Sequence, residues 1–118
     1  MLRRKLASEF LGTATLIATV VGSGAMATNL SSDIGIQLLI NTIATVFVLY
    51  ILITLLSPIS GAHFNPVVTG VEFFTKKIKG KVFALYVVAQ LAGAATGAII
   101  ANLMFEYSAI YISQKERT

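Results

Sequence analysis

The chain has 118 residues, 56% hydrophobic and 12% charged, with a formal net charge of +4 and no cysteine. Its mean hydropathy is +0.83, more apolar surface than a soluble domain of this size can hide, so composition points to an integral membrane protein. The missing cysteines exclude disulfides and thiolate metal sites, and short basic clusters abutting apolar runs argue for membrane topology rather than nucleic-acid binding.

Met1 to Lys5 is a basic cap, and residues 6–27 form a first apolar run whose single ionisable residue is Glu9. A secretory signal peptide would share the basic start and would use Ala25-Met26-Ala27 for cleavage. The run is longer than a signal core, and an internal glutamate is foreign to one, so a membrane span is the better reading. A polar loop holding Asn29, Ser31, Ser32 and Asp33 follows. Residues 34–57 form a second, uncharged run, which Pro58 and Gly61 are expected to end.

Residues 60–75 are different. Ser60 to Phe64 has no helical pattern, Asn65 is a good N-cap, and Pro66 suits the first turn of a helix. A helix from Asn65 to Thr75 would be roughly 15 Å long, about half of a ~30 Å bilayer core. Such a half-helix points its N-terminus into the membrane, whereas an interfacial helix of the same length would lie on its surface. Taken alone, Asn65-Pro66 marks only a helix start. The cluster Lys76-Lys77-Ile78-Lys79-Gly80-Lys81 closes this segment.

Residues 82–105 form a third uncharged run. Ala89, Gly93, Gly97 and Ala101 recur every fourth residue, as do Ala14, Ala18 and Gly22 in the first run. Small-residue stripes of this kind let helix backbones approach closely in lipid. In the tail, Tyr107 and Tyr111 suit interfacial anchors. Seven of the nine cations lie in the two clusters, which places the N-terminus in the cytoplasm and the C-terminus outside. The expected fold is therefore an all-α membrane protein, with three transmembrane helices and one re-entrant half-helix in a single domain.

The stretch Ser60-Gly61-Ala62-His63-Phe64-Asn65-Pro66-Val67-Val68-Thr69 resembles the first Asn-Pro-Ala loop of the aquaporin (major intrinsic protein) family, with Val67 replacing the usual alanine. Ser8-Glu9-Phe10-Leu11-Gly12-Thr13 and Tyr86-Val87-Val88-Ala89-Gln90-Leu91-Ala92-Gly93-Ala94 match the family's first and third helices. Together they cover one of the family's two repeats, and the wording is similar to bacterial members, implying a bacterial inner membrane.

The resemblance implies passive passage of water or small neutral solutes. The carbonyls of Gly61, Ala62, His63 and Phe64, lacking helical partners, would form a ladder of acceptors. The helix N-terminus, with roughly half a positive charge, would oppose cations. Asn65 would cap its own helix with its oxygen and donate to the pore with its amide nitrogen. Val67 either narrows the pore or alters packing of the half-helix. Glu9 either braces the loop, as the matching family glutamate does, or snorkels to the interface one turn from Lys5. Gln90 suits a second brace. His63 is expected to be a neutral, hydrogen-bonded histidine, with pH gating as the other reading.

In the family a bulky residue narrows the outer filter at the position matching Thr45, so this small residue implies a wider pore for glycerol-like or metalloid-hydroxide solutes. A second repeat is expected from a partner chain or from an inverted copy, and the charge bias favours the partner chain. A tetramer-like assembly follows from the resemblance. The competing reading is a non-conducting assembly subunit or a truncated channel remnant. No cofactor or metal is expected, and the scattered Glu9, Asp33, Glu72, Glu106 and Glu116 offer no enzymatic pair.

Overall fold

A computed structural model describes residues 1–105. Four helices follow in order: α1 (Leu2–Leu30), α2 (Ile34–Ser60), α3 (Pro66–Phe74) and α4 (Gly80–Met104). Helices α1, α2 and α4 have 29, 27 and 25 residues and are long and apolar enough to cross a membrane. At ~1.5 Å per residue each exceeds the ~30 Å hydrocarbon core. Helix α3 has nine residues, roughly 14 Å.

Local chemistry sets the ends. The Asp33 side chain accepts from the Ile36 N–H at 3.0 Å and starts α2. Pro58 does not stop that helix, contrary to the sequence expectation, but lies within its last turn. A proline so near the end costs only the bond to the Thr54 carbonyl. The stop is Gly61, whose φ of 90° suits glycine and whose N–H reaches the Ser57 carbonyl at 2.9 Å. Lys81 lies inside α4 rather than in the connecting turn.

Gly93 packs on the Phe10 carbonyl and Gly97 on the Ala14 carbonyl, so α1 and α4 run parallel. A Cβ on Gly93 would lie 2.5 Å from the Phe10 oxygen, and one on Gly97 would lie 2.2 Å from the Ala14 oxygen. Only glycine permits that approach. Helix α2 runs antiparallel to α1, tied at one end by Ser8 and Ser60 (3.0 Å). Further along, the Asn41 amide donates to the Val20 carbonyl and the Ser23 hydroxyl, each at 2.9 Å.

The interior is polar and the outside apolar. Ser8, Glu9, Thr13, Ser60, Thr69 and Gln90 are buried, whereas Leu38, Leu39, Val46, Phe47 and Tyr50 on α2 are exposed. Lipid is the solvent that suits such a surface, because packing and internal hydrogen bonds, not apolar burial, then hold the helices together. Tyr107 and Tyr111 lie outside the described residues.

Candidate functional site: the re-entrant loop and its carboxylate

The backbone between α2 and α3 is built around one fully buried side chain, Glu9. Its Oε2 accepts from the Ser60 hydroxyl at 2.6 Å and the His63 N–H at 3.2 Å. Its Oε1 accepts from the Phe64 N–H at 2.9 Å and the Gln90 amide at 2.8 Å. Four donors saturate a group that can only accept when ionised. Because the Ser60 proton goes to Glu9, the Ser8 hydroxyl donates to Ser60, which also accepts from the Ala62 N–H at 3.2 Å. The Tyr86 hydroxyl donates to the Ser60 carbonyl at 2.9 Å.

Gln90 joins this cluster to α3. Its amide also donates to the Thr69 hydroxyl at 2.9 Å. Thr69 in turn reaches the Asn65 carbonyl at 3.2 Å and lies 3.0 Å from His63 Nδ1. With the single Thr69 proton on the Asn65 carbonyl, His63 donates from Nδ1. The His63 ring also tilts against Tyr86 at 5.2 Å.

The loop backbone is held in an unusual shape. Ala62 and Phe64 have φ of 53° and 54°, a region that costs a non-glycine residue roughly 1–2 kcal/mol. The N–H groups of residues 62, 63 and 64 all turn toward Ser60 and Glu9. Among the described residues no hydrogen bond ends on the carbonyls of Gly61, Ala62, His63 or Phe64. The Phe64 ring is buried against Gly12, where a Cβ would lie 2.0 Å from Cε1.

Asn65 caps α3 by accepting from the Val67 N–H at 2.7 Å, and its amide nitrogen has no partner among the described residues. Asn65, Pro66 and Val67 are all exposed, Val67 by 73%. The depth of this tip follows from register. Phe73 stacks on Phe83 and Thr69 bonds Gln90, so α3 runs antiparallel to α4. One further turn brings Asn65 level with about residue 94, near the centre of Gly80–Met104.

Thr45 is not part of this cluster. It lies 15 residues before Ser60 on α2, roughly 22 Å along the helix, with a buried hydroxyl unpartnered among the described residues. Gly22 lines an apolar groove of about 590 Å³ between α1 and α4. A Cβ there would meet Phe105 at an ordinary 3.5 Å, so close packing needs glycine at Gly93 and Gly97 but not at Gly22. The sequence reading overlooked Gly12, Ser8, Thr69 and Tyr86 as members of the site. Thr69 stands one turn after Asn65 and Tyr86 one turn before Gln90, which was the available signal. No group of three His, Asp or Glu residues among those described could hold a metal.

A bundle of three spanning helices with a short re-entrant helix capped at mid-depth, and a polar interior facing an apolar exterior, defines an all-α integral membrane protein. A profile of the major intrinsic protein family matches residues 1–116, and the chain belongs to that family as one all-α aquaporin-type repeat. It is 46% identical over 117 residues to Aquaglyceroporin AqpS of Rhizobium meliloti (strain 1021), covering 99% of this chain and 50% of the relative. Aquaporin AqpM of Methanothermobacter marburgensis is 34% identical over 114 residues, covering 84% of this chain and 46% of the relative. Aquaporin NIP1-1 of Arabidopsis thaliana is 33% identical over 102 residues, covering 86% and 34%. The chain thus spans about half the length of the first two relatives and a third of the plant one.

Proposed function

We propose that this chain supplies half of an aquaporin-type channel that passes water or small neutral solutes down their gradients. One observation carries the reading: a nine-residue helix, capped by Asn65 at the level of the middle of α4, with four unused carbonyls before it. The carbonyls of Gly61, Ala62, His63 and Phe64 replace a solute's lost water contacts one after another. The positive end of α3 and the free Asn65 amide act at the deepest point, disfavouring cations and orienting a neutral oxygen. Glu9 and Gln90 brace this backbone, and His63 belongs to the brace through Thr69.

The exposed tip at Asn65, Pro66 and Val67 is the surface on which a second repeat closes the pore. Left bare in lipid, its polar groups would be costly. Where another chain supplies that repeat, a separate partner suits the charge asymmetry better than an inverted copy, and a tetramer-like oligomer follows the family pattern. The proposed setting is a bacterial inner membrane with the N-terminus in the cytoplasm. Small Thr45 and the aquaglyceroporin relative favour glycerol-like or metalloid-hydroxide solutes beside water.

Crosslinking the native complex and weighing its components identifies the partner. Proteoliposomes of that assembly should then swell in an inward glycerol gradient, and Asn65→Asp should abolish the swelling while insertion is kept. Unchanged flux in that variant would leave the chain as a non-conducting packing subunit. Water flux with glycerol excluded would sink the wide-pore assignment.

A further inference from the structure

The turn between α3 and α4 carries Lys76, Lys77 and Lys79, and Lys81 follows in the first turn of α4, four lysines within six residues. The Lys76 N–H bonds the Phe73 carbonyl at 3.0 Å and the Lys77 N–H bonds the Glu72 carbonyl at 2.9 Å, a helix ending that takes its αL residue at Lys76 (φ 63°). This fold of the backbone shapes a surface pocket of about 630 Å³, lined by Phe73, Phe74, Lys76, Lys77, Ile78 and Lys79. That volume is typical of small-ligand sites, which span ~300–1,000 Å³.

The lining has two chemistries. Phe73 is fixed by its stack on Phe83, with centroids 5.0 Å apart, and Phe74 is 80% exposed beside it. Lys77 faces Glu72 at 3.8 Å, while Lys76 and Lys79 have no ion pair among the described residues. The pocket also adjoins the first residue of a membrane-crossing helix, Gly80, which is the level where phosphates meet acyl chains. An apolar floor under unpaired cations at that depth matches a phospholipid, whose anionic head and first acyl carbons lie side by side there.

We propose that this pocket binds the headgroup of an anionic phospholipid, with its phosphate between Lys76 and Lys79 and its acyl start over Phe74 and Ile78. Glu72 is part-buried, pairs with Lys77 at 3.8 Å, and does not line the pocket. An acidic protein segment would match the lysines but not the exposed phenylalanine at the edge of the bilayer. The inference does not rest on the channel reading, because its readout is bound lipid rather than flux.

The test is a titration of the purified full chain with phosphatidylglycerol or phosphatidylcholine, counting retained lipids by native mass spectrometry. Phosphatidylglycerol should bind more tightly. The double variant Lys76→Gln/Lys79→Gln should weaken it about 25-fold, from about fivefold per lysine, and leave phosphatidylcholine unchanged. Lys76→Arg/Lys79→Arg should retain it. Millimolar inorganic phosphate or an acidic peptide should displace little of the lipid. Equal binding of both lipids, an equal loss in Arg3→Gln/Arg4→Gln, or full displacement by phosphate or peptide would each overturn the proposal. Should the glutamine variant fail to fold, the lipid preference and the displacement arms on the unaltered chain decide alone.

Discussion

Replacing Glu9 by glutamine tests whether one carboxylate holds the loop. The two side chains have the same shape, but glutamine turns one acceptor into a donor. The least damaging orientation sets the new NH₂ toward Ser60 and His63, since the Ser60 hydroxyl can rotate to accept. The His63 N–H is then buried without a partner, at about 1–3 kcal/mol. The bonds from Phe64 and Gln90 survive but fall from charge-assisted to neutral strength, losing about 0.5–1.5 kcal/mol each. The expected loss is about 2–6 kcal/mol, at least roughly 30-fold in the folding equilibrium. Helical circular dichroism during unfolding of the chain in mixed micelles measures it directly. A loss below about 0.5 kcal/mol, ordinary for a surface change, would refute the idea that the loop is organised around this residue.

Gly97→Leu should separate α1 from α4 at about 1–3 kcal/mol, since even a Cβ meets the Ala14 carbonyl, whereas Gly22→Ala should stay within about 0.5 kcal/mol in the same unfolding assay. Gly12→Ala should cost about 1–3 kcal/mol by displacing the Phe64 ring, and should expose the loop to faster amide exchange at His63 and Phe64. Lys76→Gly should stabilise the end of α3 by about 0.5–1 kcal/mol, because glycine adopts φ 63° without a Cβ penalty; unchanged or lower stability would contradict that account.

The helical architecture was legible because lipid imposes it. Long uncharged runs must be helical, and Asn65-Pro66 is a strong start signal for α3. Pro58 misled because a proline in the last turn breaks little, so the glycine three residues later sets the boundary. The stripe through Gly93 and Gly97 carried its meaning in its period, yet the same period at Gly22 carried none, since packing depends on what lies opposite. The polar cluster was harder to see. Nothing in spacing joins Glu9 to Gln90 across 81 residues, and no propensity rule gives Phe64 a positive φ. Gly12 has the same difficulty, because its purpose is a ring 52 positions away.

The distance in sequence between Glu9 and its donors has a consequence for biogenesis. The carboxylate enters the bilayer early in synthesis, while Ser60, His63 and Phe64 are still unmade and Gln90 is later still. A polar carboxyl group without its hydrogen-bond partners is costly in a nascent span, charged or neutral. Helix α1 therefore gains its partners for Glu9 only once the re-entrant loop and α4 have been made.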